Sequence, residues 1–310
     1  MPNKISGYIG NTDFDWHQFL SSHPEFREIN FWQPSGGRGF HVISPGEPFF
    51  FRLKSPHNAI AGFGYLSRHE ILPAWLAWDT FGMANGAPSF QEMIRRVAKY
   101  RRGPADPHGK DKIGCLMVVD PVFFPQTSWI REPEGWHQNI VQGKRIDLSS
   151  GEGLRIWNEC AVGARDGASL ARDGREVPRY GEPLVVRPRL GQGSFRFAVT
   201  SAYENACAVT MEHSLPVLDA AHIRPYAEGG EHEVSNGLLL RSDIHRLFDK
   251  GYVTVSADLR FQVSRKLKDD YSNGKSYYGL HGQPIHLPAQ PQNRPDRHML
   301  DWHNQNLFLG

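Results

Sequence analysis

The segment LDAAHIRPYAEGGEHEVSNGLLLRSDIHRLFDKG, from Leu218 to Gly251, constrains this chain more than any other. It sets four local structures in close succession. VLDAAHI (217–223) is an apolar run stopped by Pro225 and reads as a strand. EGGEHEVSN is a polar, Gly-containing loop. GLLL (237–240) is a second short strand. RSDIHRLFDKG (241–251) reads as a helix closed at Gly251, with Ser242 or Asp243 as its cap. A strand, a loop and a helix this close together can turn His222, Asn236 and His245 toward one point.

Type and spacing together resemble the HNH nuclease motif on a ββα-metal fold. Asn236 follows His222 by 14 positions, and His245 follows Asn236 by 9. AHIRP stands where that family often has Asp-His-Ile-x-Pro, SNGLLL supplies the Asn, and IHRLFDKG supplies the last His. The resemblance, with CAVT upstream, covers roughly residues 193–260. It implies hydrolysis of a phosphodiester. His222 would be the general base, since an imidazole with a pKa near ~6.5 takes a proton at neutral pH. Asn236 would fix the loop and orient His222 by hydrogen bonding. His245 would bind a divalent ion, Mg2+ or Mn2+ or another transition metal, acting on the scissile phosphate as a Lewis acid.

Asp249 lies at i+4 from His245, on the same helix face, as a second ligand or a partner that orients the histidine. The plain alternative is a helix-end charge pair with Arg246 or Lys250. One position departs from the family pattern. Where many HNH sites carry a metal-binding Asp or His just before the base, this chain has Ala221. Asp219, two residues earlier and on the same side of a strand, is the candidate replacement. His213 and His232 read as polar surface residues, and Cys207 as a small buried hydrophobe.

The first 150 residues read differently. SGYIGNT (6–12), EPFFFRL (47–53) and NAIAGFGYL (58–66) are strand-like, and Gly62 and Gly64 suggest a bend. KIGCLMVVDPVFF (112–124) is a buried strand ended by Pro121. SFQEMIRRVAKYRR (89–102) is a helix opened by a Ser89/Glu92 capping box. Strands with a few helices make an α+β architecture, a small β-barrel with helices. FWQP, PGEPFFFRLK, NAIAGFGYL and EGLRIW resemble the EVE branch of the PUA-like domains. The resemblance implies a pocket for a flipped, modified base, with aromatic walls. Trp32, Phe31, Tyr65, Trp75 and Trp78 are the candidate walls. Trp32 is favoured because WQPSGG sets it beside a polar loop.

With 310 residues, the chain is long for one domain and ample for two. The expected division is a base-reading domain over 1–160, a connector rich in Gly, Arg and Pro over 161–192, and a nuclease domain over 193–310. The net charge of +2 does not by itself demand a nucleic acid. Local basic stripes fit phosphate contact, with Arg95 and Arg96 in one and Arg187 and Arg189 in the other. Three widely spaced cysteines suit a reducing cytoplasm rather than a disulfide framework. No run is apolar and long enough to span a bilayer, and the N-terminus has no signal-peptide core, so no membrane partner is expected.

A base pocket followed by an HNH domain resembles the EVE–HNH modification-dependent restriction endonucleases. The expectation is a prokaryotic cytoplasmic enzyme. It would cut double-stranded DNA carrying 5-methyl- or 5-hydroxymethylcytosine, acting as a homodimer on DNA. Two alternatives stand beside it: an RNA-directed or non-specific HNH nuclease, and an inactive modified-DNA binding module.

Overall fold

The computed structural model describes residues 5–36, 40–101, 103–170, 190–272 and 274–310, with backbone alone over 165–170. The chain divides into two compact units, Met1–Gly191 and Gln192–Gly310. Both mix helices and strands, so the α+β expectation holds.

In the first unit, β1 (Ser6–Thr12) leads into α1 (Phe14–Ser21), followed by β2 (Glu28–Gln33), β3 (Pro48–Leu53) and the long β4 (Ala59–Pro73). Two helices come next, α2 (Ala74–Phe81) and α3 (Phe90–Tyr100), then β5 (Lys112–Phe123), β6 (Ile130–Arg131), β7 (Gly143–Asp147) and α4 (Gly151–Leu170). The strands form one sheet in the order β2-β5-β4-β3-β1-β7, with β6 on β4. Among the described residues, only β1 and β3 run parallel; the other pairs are antiparallel.

The triple-Phe run explains the middle of this sheet. Every residue of β3 is buried, as expected for a central strand covered on both faces. Phe49 and Phe51 face Phe31, Trp16 and Phe123. Phe50 faces the other way, into a core shared with Ile9, Phe63, Tyr65 and residues Ile156, Trp157 and Cys160 of α4. The sheet is strongly curled. Three strand intervals separate β2 from β3, which would be about 14 Å in a flat sheet, yet the Phe31 and Phe49 rings lie 4.8 Å apart. The hydrogen-bonded path runs from β2 to β7, so the barrel-like shape comes from curl.

The bend expected at Gly62 and Gly64 is present. A Cβ at Gly62 would lie 2.3 Å from the Val122 carbonyl oxygen, and one at Gly64 would lie 2.5 Å from Val118. The register shifts opposite them, between Phe63 and Tyr65. This corrects the expected end of β5. Pro121 sits at that irregularity, where no ladder N–H is required, and the strand resumes to Phe123. At the far end, α4 carries Cys160, Ala161 and Ala164 into the core of this unit, so packing continues past residue 160.

The second unit opens with α5 (Gln192–Ala202). It continues with β8 (Leu218–His222), β9 (Gly237–Arg241) and α6 (Ser242–Asp249). A hairpin of β10 (Val253–Val255) and β11 (Phe261–Val263) follows, then α7 (Lys266–Tyr271), α8 (Lys275–Tyr278) and α9 (Arg297–Asn306). Asp296 caps α9, its carboxylate accepting from the His298 and Met299 amides. Gly251 ends α6 with φ +72°, and a Cβ there would lie 1.9 Å from the Leu307 carbonyl oxygen. The start of α6 differs from expectation. Neither Ser242 nor Asp243 caps it: the Ser242 hydroxyl donates to Val217 O, and Asp243 holds Arg241.

Candidate active site

The strand, loop and helix of the opening segment fold as a ββα unit. β8 and β9 pair antiparallel, with His222 opposite Gly237. The glycine matters because α5 packs directly on it: a Cβ at Gly237 would lie 2.4 Å from Val199 and 3.1 Å from Phe195. That close approach brings Phe195 onto the face of His222, with ring centroids 4.0 Å apart and planes 14° from parallel.

Asn236 is 2% exposed, and its side chain closes the loop from within. Its Oδ1 accepts from the Arg224 amide at 2.9 Å. Its Nδ2 donates to Arg224 O at 3.0 Å and Glu231 O at 2.9 Å. The expected direct bond from Asn236 to His222 is absent, because all of these amide bonds go to main chain. What does reach His222 is His232. His222 Nε2 and His232 Nδ1 lie 2.8 Å apart, and His232 stacks on Tyr226 at 4.9 Å and 8°. His232, expected at the surface, is half-buried and lies against His222. Burial, and then the nearby His232 and His245, push the His222 pKa down to about 4.

His245 projects from α6 between two carboxylates. Its Nδ1 lies 3.5 Å from Asp219 Oδ2, and its Nε2 lies 3.4 Å from Asp249 Oδ2. Asp249 therefore faces His245 and pairs with neither Arg246 nor Lys250. Ala221 is fully buried, so the position that carries a ligand in many HNH sites is here a packing position. The hydrogen bond to His245 holds the Asp219 carboxyl below its ordinary pKa, with burial opposing.

No group of three or more His, Cys, Asp and Glu side chains is arranged to enclose a metal among the described residues. A two-ligand position fits the donors better. Separations of 3.4–3.5 Å are long for hydrogen bonds. Asp219 and His245 Nδ1 are near enough to share one ion, whereas Asp249 faces the opposite ring nitrogen. An Asp–His pair suits a hard divalent ion that completes its shell with water and phosphate oxygens.

The expected base-pocket residues do not converge in the same way. Tyr65 is 4% exposed and belongs to the core beneath α4, which removes it as a pocket wall. Phe31 packs on Phe49 and Trp16 inside the curled sheet. Trp32 is half-buried, and its Nε1–H donates to Asn85 O at 3.0 Å. Trp75 and Trp78 are half-buried on α2, with Trp78 beside Phe90. Of the basic stripes, Arg96 is tied to Glu92 and to Gly86 O, so it is a structural residue. Arg95 also pairs with Glu92 but is 73% exposed. The serine half of the capping box forms, whereas the Glu92 carboxylate serves these arginines instead. Arg187 and Arg189 lie outside the described residues.

A family model described as HNH endonuclease matches residues 207–256, the span of β8, β9, α6 and the start of the hairpin. That segment is an HNH endonuclease domain, and it makes the chain a nuclease. No curated protein matches the chain. Among solved structures, an ASCH protein from Zymomonas mobilis is similar at 12% identity and a TM-score of 0.33, over 48% of this chain and 94% of that one. A modification-dependent restriction endonuclease, TagI, is similar at 14% identity and a TM-score of 0.28, over 85% of this chain and 62% of that one. Likenesses this faint carry no argument about activity or substrate.

Proposed function

We propose that the chain is a modification-dependent restriction endonuclease. Its N-terminal unit, read as PUA-like, would hold a flipped 5-methyl- or 5-hydroxymethylcytosine, and its HNH site would hydrolyse the DNA backbone in a prokaryotic cytoplasm. The observation that carries the nuclease reading is the ββα unit, in which His222 and Asp219 share one strand, Asp219 pairs with His245 of the helix, and Asn236 closes the loop between the strands.

In the proposed reaction, water beside the scissile phosphate gives a proton to His222 while its oxygen bonds to phosphorus. The P–O bond to the leaving sugar breaks, and the leaving oxygen takes a proton from solvent. His222 is neutral at physiological pH, so it is ready to accept that proton. A divalent ion held by Asp219 and His245, with Asp249 beside them, would supply Lewis-acid stabilisation of the phosphate charge. Asn236 acts through the loop backbone rather than on the reacting atoms. Each chain has one such site and a duplex has two strands, so two copies acting on DNA complete a double-strand cut.

For base recognition, Trp32 remains the leading wall. Its indole is half-buried and held in place through its N–H, so a base can stack on it without first ordering the ring. Trp75 and Trp78 are the candidates for a second wall, and Arg95 for a backbone contact.

The test is digestion of otherwise identical duplexes carrying cytosine, 5-methylcytosine, 5-hydroxymethylcytosine or glucosylated cytosine, beside a structured RNA. Selective cutting of a modified duplex is expected. Trp32→Ala should weaken that duplex's binding by about 1–3 kcal/mol, the usual worth of one stacking contact. Equal cutting of modified and unmodified DNA, or preference for the RNA, would replace the reading with a generic or RNA-directed nuclease. No metal-dependent cutting at all would leave a binding module.

A further inference from the structure

His232 lies in the polar loop EGGEHE, which the nuclease motif does not use. Three contacts nevertheless build it into the site. Asn236 Nδ2 holds the Glu231 carbonyl at 2.9 Å, immediately before His232 in the chain. Tyr226 covers one face of the His232 ring. Its Nδ1 then meets His222 Nε2 at 2.8 Å. His222 is thus held on two sides, by Phe195 on one face and His232 at Nε2, and its Nδ1 makes no hydrogen bond among the described residues.

We infer that His232 is the positioning residue of the cleavage reaction: it accepts a hydrogen bond from His222 Nε2–H and so leaves the His222 Nδ1 lone pair to take the water's proton. The inference rests on the HNH reading of His222 as base.

Proton bookkeeping fixes the direction of the bond. One of the two facing nitrogens must carry the hydrogen. If His232 donated, a neutral His222 would carry its own proton on Nδ1 and have no lone pair there for a base to use. If His222 donates, Nδ1 is open. The same bond also survives the reaction unchanged. Once His222 has taken the water's proton at Nδ1, it is an imidazolium whose Nε2–H still points at His232 Nδ1. The bond becomes charge-assisted, and therefore stronger, as positive charge develops on His222. His232 thus favours the state after proton transfer over the state before it, which is what an orienting partner of a general base does. Asn236 enters the same chain, placing His232 through the Glu231 carbonyl.

The experiment uses full-length variants at position 232 and the modified duplex that the wild-type chain cuts fastest. His232→Phe keeps a ring to stack on Tyr226 and removes the acceptor. His232→Ala removes both. His232→Asn restores a polar atom near the place of Nδ1. Single-turnover cleavage at saturating enzyme should fall about 10- to 100-fold in the Ala and Phe variants, the range expected for losing one charge-assisted hydrogen bond. It should recover toward wild type in Asn. Duplex affinity and Mn2+ binding should stay within about twofold throughout.

Cleavage by His232→Phe and His232→Ala within about twofold of wild type overturns the inference, while loss of cleavage in His222→Ala shows that the nuclease reading still stands. Full cleavage by His222→Ala would instead remove that reading and the inference with it. Should the Ala and Phe variants not fold, 15N spectra of the wild-type imidazoles decide the matter. An unprotonated His222 Nδ1 with a protonated Nε2 supports the inference, and a proton on Nδ1 overturns it.

Discussion

Two histidines of the C-terminal unit share an aromatic stack and a depressed pKa. His222 stacks on Phe195 at 4.0 Å, and His303 stacks on Phe248 at 3.7 Å. Burial is the leading cause that pushes each pKa down to about 4. They differ in what their nitrogens do. His303 is wholly buried and uses both: Nε2–H donates to Phe248 O at 3.1 Å, so Nδ1 accepts from the Thr254 hydroxyl at 2.9 Å. His222 uses one, and among the described residues the other makes no hydrogen bond. A depressed pKa therefore does not mark a functional histidine, because a buried structural one has it too. Nor does an unused nitrogen alone, since the buried His17 has one at Nδ1; what sets His222 apart is an unused nitrogen on a half-buried ring within the ββα unit, with His232 against its other nitrogen.

The largest effect should come from removing each ring. His222→Ala should lower the cleavage rate by about 10²–10⁴, the usual worth of a general base, and leave duplex binding nearly intact. His303→Ala should do the reverse. It leaves the Thr254 hydroxyl and Phe248 carbonyl short of partners and opens a cavity, so unfolding should become easier by about 3 kcal/mol. Cleavage per folded molecule should barely change. Single-turnover rates paired with urea unfolding of both variants test this. A His303→Ala protein that is stable but slow would break the distinction.

A smaller effect separates the ligands. His245→Ala should lose Mn2+ affinity and activity by about 10–100-fold, since the imidazole lies between both carboxylates. Asp249→Ala should lose a few-fold of each, because its carboxylate is 58% exposed and meets only one nitrogen. Calorimetric titration with Mn2+ reads both. Unchanged metal binding in both variants would move the ion elsewhere.

The contrast also explains what could be read from the sequence. The placement of His222, Asn236 and His245 on strand, loop and helix was legible because the motif lies within one short segment, where spacing alone implies those elements. His232 was not, because its place depends on how Asn236 folds the loop back, and a histidine in EGGEHE looks like any polar loop residue. The contact of Phe195 with His222 was not legible either; it follows from the absence of a side chain at Gly237. In the first unit the α+β class and the bend at Gly62 and Gly64 were legible from strand runs punctuated by glycine. Which strand rings belong to the core was not, because a ring on a strand reads the same whether it faces a core or a pocket. Tyr65 faces a core. The tie on Arg96 is hidden for a related reason: Glu92, one turn earlier, fits the cap pattern but its carboxylate holds Arg96.

The smallest effect is also the sharpest test, since it sets the two histidines against each other under one change of condition. Lowering the pH from 7 to 5.5 should act on stability through His303 and scarcely on catalysis through His222. For His303 the folded value, about 4, lies below the ordinary 6.5. The unfolded chain therefore takes up the proton first as the pH falls. The stabilisation is present above about pH 6.5, declines between there and about 4, and amounts to about 3 kcal/mol in full. His303→Leu should flatten that part of the stability curve relative to wild type. For His222 the same depression keeps the base unprotonated down to about pH 4. At saturating Mn2+, the single-turnover rate of folded enzyme should then fall less than about twofold between pH 7 and 5.5, whereas an ordinary histidine would lose about tenfold. A tenfold fall would show that His222 titrates like a solvent-exposed imidazole when DNA is bound. The likeness of the two sites would then end where the substrate arrives.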